Sequence, residues 1–318
     1  MKNLDYKKLS EYKEGEEIKG YFLSKNLQVK MSRNNTAYLD LLVVDNSACI
    51  PAKMWNIPAR VNLEELKASS FIYIVGKVEL YNENKQINLS FIRNANEKDN
   101  FDKRLLIPTV DEDPKELYME IKTTIDSISD NDLRNLLGTI FEEKQDLFMV
   151  SPAAITVHHS RIGGLVLHTC EMLRVAKSLC EIFPIVNRNY LLAGVILHDI
   201  GKLEEMKRNN VQMVEDYTIE GKLLGHIILG ITYVHDVGNR LGIPAEKIVK
   251  LEHLILSHHG KPEYGSPKVP MSVEAAFLNY CDQISSTYNI YYELTKDLKS
   301  GELGDKNFFL GNIEPFKF

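Results

Sequence analysis

A β barrel followed by an all-helical body is the fold class this sequence predicts, on three observations. Between about residues 15 and 95, short β-rich runs alternate with turn signals. From Asp113-Pro114 onward, apolar residues recur at three- and four-residue spacing. All nine histidines fall between positions 158 and 259, none of them in the β-rich part. At 318 residues, with 44% hydrophobic and 26% charged side chains, the chain has material for about two domains and lacks a disordered composition.

The β-rich part reads as five runs. Glu17–Leu23 is followed by the turn Ser32–Asn35, then Ala37–Asp45 and, across Asn46-Ser47, Cys49–Trp55. A helical patch at Leu63–Leu66 precedes Phe71–Leu80, and Gln86–Ile92 alternates as the last run. Five strands with one helix between the third and fourth is the order of a small Greek-key OB barrel. Residues 1–95 are therefore expected to form an OB-fold, nucleic-acid-binding domain. Residues 96–150 are expected to be a linker and helical segment, with Pro114 in a first helical turn and Leu117, Ile121, Ile125 and Ile128 on one face. Residues 151–318 form the helical body and a tail, punctuated at Ser151-Pro152, Phe183-Pro184, Gly201, Gly242-Ile243-Pro244 and Gly260-Lys261-Pro262. No internal repeat or low-complexity tract interrupts it.

Several classes are excluded. No run of about 18 apolar residues exists to span a membrane, and Met1–Asp5 does not begin a secretory signal. Cys49, Cys170, Cys180 and Cys281 are scattered without a CxxC pair, against a disulfide framework or zinc ribbon. A reduced, cytoplasmic setting without membrane partners is expected. The net charge of −6 argues against a general nucleic-acid coat protein, but it is uneven. Fifteen basic and thirteen acidic residues leave residues 1–100 at +2, whereas twenty-three and thirty-one leave the remainder at −8. A slightly basic barrel on an acidic body is compatible with local nucleic-acid contact.

The histidines carry the chemistry. His198-Asp199 ends the apolar helix Leu191–Leu197 and precedes Ile200-Gly201-Lys202, with Gly201 read as a C-terminal stop. An imidazole and a carboxylate side by side suit a divalent ion such as Mn, Fe, Co or Zn. Lys202 just beyond can reach an anionic substrate. His168, with Met172, Val175 and Leu179 following at helical spacing, points to the buried side of its helix. His258 and His259 continue the face of Ile248, Leu251 and Ile255, and Asp282 sits four residues after Leu278 in another apolar helix. A carboxylate there is costly to bury unless it is paired or bound to metal. His235-Asp236 is a second His-Asp pair, but nine helical steps from His226 put the two histidines on opposite faces, and His226 is the one chosen. His253 lies about 140° from His258 and is set aside. The alternative to a metal site is a buried polar network without an ion.

In this order, His168, His198-Asp199 with Gly201-Lys202, and Asp282 resemble the H…HD…D pattern of HD-domain metal-dependent phosphohydrolases. His226 and His258-His259 resemble the further ligands of HD domains that hold two metals. The stretch Asn279-Tyr280-Cys281 departs from that pattern, in which a His commonly precedes the late Asp. The barrel, the helical segment and Ser151-Pro152-Ala153-Ala154…His158-His159…Gly163-Gly164-Leu165…His168-Thr169 look like the YhaM-type 3′-5′ exoribonucleases, from about residue 15 to residue 295. The resemblance implies an all-α HD domain behind the barrel. It also implies removal of nucleotides from the 3′ end of single-stranded RNA, and also single-stranded DNA, with a divalent ion, commonly Mn, with Mg, Co or Fe as alternatives. On this reading His168, His198, Asp199 and Asp282 hold one ion. Asp199 bridges to another held by His226 and His258, with His259 as a further candidate. Lys202 and His159 touch phosphate oxygens.

The barrel is expected to deliver the strand by stacking bases on aromatic side chains beside basic ones. Candidates are Tyr21, Phe22, Tyr38, Trp55, Tyr73 and Tyr81 with Lys30, Arg33, Lys53 and Lys77, of which Tyr38, Trp55, Lys53 and Arg33 are preferred. Alternation puts about half of the aromatics in the barrel core. The aromatic tail, Asn307–Leu310 and Pro315–Phe318, docks on its own domain or on a second copy in a homo-oligomer. Two other functions stay open. One is a phosphodiesterase for a small or cyclic nucleotide, the other a non-catalytic RNA-binding adaptor.

Overall fold

In a computed structural model the chain divides into two compact units, one ending at Thr109 and the other comprising Val110–Arg208 and Val214–Phe318. The structure describes residues 6–32, 34–55, 57–59, 61–63, 65–66, 70–81, 84–96, 98–102, 105–153, 161–208 and 214–318.

In the first unit five strands close a barrel in the order β1-β2-β3-β5-β4: β1 Glu17–Met31, β2 Ala37–Val44, β3 Cys49–Trp55, β4 Phe71–Tyr81 and β5 Asn84–Asn94. Strand β1 serves two partners. Its first half pairs with β4 from Glu17↔Lys77 to Leu23↔Phe71, and its second half with β2. A register shift between Lys25 and Gln28, with Asn26 at φ 53°, bends it between the two. The parallel pairs Ala52↔Ile87 and Lys53↔Asn88 join β3 to β5 and close the barrel. Alternation then sorts the side chains: Ile18, Phe22, Leu39, Leu41, Val43, Met54, Ile72, Ile74, Ile87 and Leu89 fill the interior. This is the OB-type barrel expected. The helix expected at Leu63–Leu66 is not formed among the described residues there; 61, 63 and 65 are bend or turn, and 62 and 66 are irregular. Two leucines three residues apart otherwise offer only a single turn, too short to nucleate a helix.

Phe101 and Leu106 stay with this unit, packing in a smaller cluster with Leu23, Val44, Phe71 and Tyr21.

The second unit is helical: α1 Pro114–Asp126, α2 Asn131–Glu143, α3 Gln145–Val150, α4 Gly164–Ile182, α5 Arg188–Leu197, α6 Lys202–Glu205, α7 Ile219–Arg240, α8 Ala245–Ser257 and α9 Val273–Thr295. A small hairpin, β6 Met206–Arg208 and β7 Val214–Tyr217, sits between α6 and α7. Asp113 and Asp130 cap α1 and α2 through their carboxylates, and Ser272 caps α9. Helix α5 is apolar all round, and Leu191 through Leu197 are buried without exception, as a central helix requires. It ends at His198, so its packing against α4, α8 and α9 carries the site. The tail folds back through the bridges Leu303↔Phe316 and Asn307↔Ile313 and leaves Phe308 and Phe318 exposed. Among the described residues no helix is long and apolar enough to cross a membrane.

Candidate metal centre

Four helix ends and two helix interiors meet at the C-terminus of α5. His198 is its cap residue, and Asp199 follows in the tight turn into α6. His168 projects from the second turn of α4, Asp282 from the middle of α9, His226 from α7, and His258 and His259 from the end of α8. His168, His198, Asp199 and His258 are buried although polar. Burial of that kind requires partners.

The residues form two groups of potential ligands. His168, His198 and Asp282 make one, and His226, His258 and His259 the other; within each, one donor atom per residue lies within 4.8 Å of the others. Asp199 stands between them. Its Oδ2 is 3.2 Å from His198 Nε2, and its Oδ1 is 3.5 Å from His226 Nε2 and 3.9 Å from His258 Nε2. His168 Nε2 is 3.3 Å from Asp282 Oδ1.

The outer nitrogens of three of these rings are engaged. His198 Nδ1 meets Val195 O at 2.8 Å, His258 Nδ1 meets Ile255 O at 2.7 Å, and His168 Nδ1 meets Ser285 Oγ at 2.9 Å. Ser285 Oγ in turn donates to Glu171 Oε2 at 2.5 Å. A proton held at Nδ1 by a carbonyl leaves Nε2 as a lone pair facing inward, the arrangement that metal-binding histidines need. Buried and without a hydrogen-bond partner are His198 Nε2, His226 Nε2, His258 Nε2, His259 Nδ1 and Asp199 Oδ1. So many inward acceptors left unsatisfied in one place fit a cation between them. The donor set, imidazole nitrogens with carboxylate oxygens, fits a divalent transition metal.

The electrostatics agree. Burial pushes His258 well below the usual imidazole range, with His259 and His198 adding to it, so it is neutral. Burial and His226 lower His259 as well. For Asp199 burial opposes ionisation, but Lys202 first, and then His198, outweigh it and hold the carboxyl well below its ordinary value. Asp282 is likewise held low against burial, by His168 before the other histidines. His198 runs the other way: burial opposes its imidazolium, but Asp199 outweighs it and raises that pKa, so an ion at Nε2 would have to take the place of a proton there. Lys202 stays charged because Asp199, accepting from Nζ at 2.6 Å, offsets its burial. The cluster opens into a cavity of about 370 Å³, walled by Lys202, Glu205, Met206 and Tyr217 as well as by the His and Asp residues.

Residues 165–287 match the HD domain family. A 3′-5′ exoribonuclease YhaM of Listeria innocua is 33% identical over 306 residues, spanning 96% of this chain and 96% of its own. The YhaM of Bacillus subtilis is 33% identical over 304 residues, 95% of each. The chain belongs to the YhaM family of 3′-5′ exoribonucleases. Among solved structures, the second OB-fold domain of replication protein A from Methanococcus maripaludis aligns with 30% of this chain and 98% of its own, at 16% identity and a TM-score of 0.22.

Against the sequence expectations for this YhaM-family chain, the structure brings His168, His198, Asp199, Lys202, His226, His258, His259 and Asp282 to one place. His235 points elsewhere, paired with Glu252 at 2.8 Å on an exposed face. His253 accepts from Met271 N. His159 lies outside the described residues, as does Arg33. Gly201 is a correction: it has right-handed helical φ and ψ and caps no helix C-terminus. A Cβ there would stand 1.9 Å from His226 O, so the glycine is required by the close approach of α7.

Three supporting residues escaped the sequence reading. Glu205 and Ser285 contact ligand histidines, and Asn279, noted only as a departure, donates from Nδ2 to His258 O at 2.6 Å and ties α9 to the end of α8. Pattern and period carry no trace of such contacts, because each joins elements far apart in sequence. A small polar residue on the buried side of α9 is the one signal that pointed to Asn279 and Ser285.

In the barrel the structure sorts the aromatic candidates. Phe22 is core, Tyr21 stacks on Phe101 with centroids 4.5 Å apart, and Tyr73 lies under Arg93. Tyr38 and Trp55, cross-strand partners on β2 and β3, stack at 4.6 Å with Trp55 44% exposed. Lys53 Nζ sits 5.4 to 5.8 Å from the rings of Trp55, Tyr81 and Tyr38. A flat aromatic pair with a cation beside it is what a single strand needs to stack on. Lys30 is engaged by Asp40.

Proposed function

We propose that this chain removes nucleotides from the 3′ end of single-stranded RNA by hydrolysing the terminal phosphodiester, and acts on single-stranded DNA by the same route. The observation that carries this is the set of inward, unsatisfied His and Asp atoms inside a chain that matches YhaM exoribonucleases over nearly its whole length. His168, His198, Asp199 and Asp282 are the residues for one divalent ion, and His226, His258 and His259 for another, with Asp199 facing both. Mn is the first candidate, ahead of Mg, Co and Fe. An ion so held supplies positive charge against the phosphate and makes hydroxide available near neutral pH.

The chain's own groups do the rest. Asp199 stays ionised, and His258 presents Nε2 unprotonated. Lys202 keeps an ammonium at the cavity wall, where a phosphate oxygen can share it with Asp199. A volume of about 370 Å³ falls in the range of small-ligand sites, so it suits a terminal nucleotide and not a duplex. Met206 and Tyr217, cross-strand neighbours at the wall, give the terminal base an apolar, aromatic face. Tyr38, Trp55 and Lys53 of the barrel contribute affinity for the strand without reading its sequence.

The test is a time course on 5′-labelled single-stranded RNA with Mn²⁺, with EDTA, and with Asp199→Ala. A ladder that shortens from the 3′ end only with metal and intact Asp199 is expected. Turnover by Asp199→Ala would overturn the assignment. Metal binding without RNA cleavage would favour a small or cyclic nucleotide as substrate, and neither binding nor cleavage an RNA-binding adaptor.

A further inference from the structure

Glu205, the last residue of α6, belongs to none of the motifs above, yet it is a buried acid at the wall of the site. Its Oε1 accepts the main-chain N–H of His226 at 3.0 Å and lies 3.4 Å from His226 Nδ1.

The backbone explains why that N–H needs a partner from another element. Helix α7 is broken at Gly225, whose φ of 73° and ψ of 162° are open to glycine but strained for other residues. The helix restarts at His226, and the N–H groups of a first helical turn have no intrahelical acceptor. The Glu205 carboxylate takes the place of an N-cap and, with the same oxygen, faces the outer nitrogen of the ring. His198 and His258 obtain that outer contact from carbonyls one turn back in their own helices. His226 cannot, because the preceding turn ends at the break.

We infer that Glu205 is a positioning residue for the second ion site: it fixes the restart of α7 and holds the His226 proton at Nδ1, leaving Nε2 to face Asp199 and the His258-His259 pair. The inference rests on the reading that this cluster holds two ions. Loss of such an outer partner weakens metal affinity about 10- to 100-fold.

The experiment is calorimetric titration of the full-length, metal-stripped protein with Mn²⁺. The wild type is expected to bind two ions. Glu205→Ala should keep one affinity and weaken the other about 10- to 100-fold. Glu205→Gln, whose amide oxygen still accepts, should recover most of the loss. Two wild-type affinities in Glu205→Ala would overturn the inference while leaving the two-ion reading intact. A Gln variant as weak as the Ala variant would also overturn it, since the carboxylate charge and not the hydrogen bond would then matter. A wild type that binds a single ion would overturn the two-ion reading itself, and the inference with it. Ring ¹⁵N shifts of His226 in the metal-free wild type need no variant. Protonation at Nδ1 is expected, and a proton at Nε2 would refute the role assigned to Glu205.

Discussion

Lys202 Nζ donates to Asp199 Oδ2 at 2.6 Å, with the carboxylate 5% exposed and the ammonium 16%. The two charges hold each other in place at the point where the two ligand groups meet. Removing one partner of such a pair leaves an uncompensated buried charge, at a cost of about 3–5 kcal/mol. Lys202→Met should therefore destabilise the metal-free protein by about 3 kcal/mol. It should do so less in saturating Mn²⁺, because an ion beside Asp199 supplies the missing positive charge. Urea melts with EDTA and with metal measure both. An equal loss in the two conditions would mean that Asp199 faces no ion.

The unsatisfied inward atoms make a second prediction. A ligand at 100 times its Kd stabilises by about 2.7 kcal/mol, and in a body of this size 1 kcal/mol moves Tm by about 2–4 °C. Mn²⁺ should raise Tm by about 5–10 °C over EDTA for one site at that saturation. Asp282→Ala should shrink the shift. An unchanged Tm would identify the cluster as a polar network without an ion.

The fold class and most of the site were legible because both depend on period and order. Strands read from alternation, the helical body from three- and four-residue spacing, His198 and Asp199 from polar residues at the end of an apolar helix, and His168 and Asp282 from polar residues on the buried faces of two others. The choice of His226 over His235 needed only 100° per residue. What escaped was decided by contact. Glu205 looks like a surface acid in a short charged helix until the break at Gly225 brings the His226 N–H to it. Gly201 looks like a stop signal until α7 crosses it. Tyr21 and Trp55 are both stacking candidates in sequence, Trp55 the preferred one, and it takes the packing of Phe101 onto Tyr21 to show why Tyr21 is not free to stack.

Gly201 yields a prediction of its own. Its α carbon faces α7 so closely that the Cβ of Gly201→Ala would overlap His226 O and come within 2.5 Å of Gly230 N. Both are backbone atoms, so the helix must shift as a unit. Overpacking costs typically about 1–3 kcal/mol, and here the movement also drags His226 out of register. Loss of Tm together with loss of one Mn²⁺ affinity is expected. A lower Tm with both affinities retained would show that His226 does not depend on this contact.

One contribution to acid stability comes from Asp130, which caps α2 and receives Lys247 of α8 at 2.8 and 2.7 Å. Burial opposes its ionisation, but Lys247 and the capping N–H groups outweigh that and lower its pKa. A carboxyl lowered on folding contributes stability above its unfolded value of about 3.9, and loses it as pH falls through the folded value. Asp130→Asn keeps the cap but not the charge. The stability gap between wild type and variant should be full at pH 7 and should close below about pH 4. A gap that persists unchanged at pH 3 would show that the charge contributes nothing.

The barrel patch separates affinity from cleavage. Trp55 is exposed and lies outside the barrel interior, so Trp55→Ala should leave the fold intact. Stacking is worth about 1–3 kcal/mol per base, so affinity for single-stranded RNA should fall about 5- to 160-fold. Lys53→Ala removes one backbone contact, and the slope of log K against log salt should lessen by about 0.7. Neither variant should change hydrolysis of a p-nitrophenyl phosphodiester, which has no strand to hold. The two measurements together locate the function. Unchanged RNA affinity in Trp55→Ala would take substrate binding away from this face of the barrel, whereas a matching loss on the small diester would mean that the barrel acts on the helical body and not on the strand.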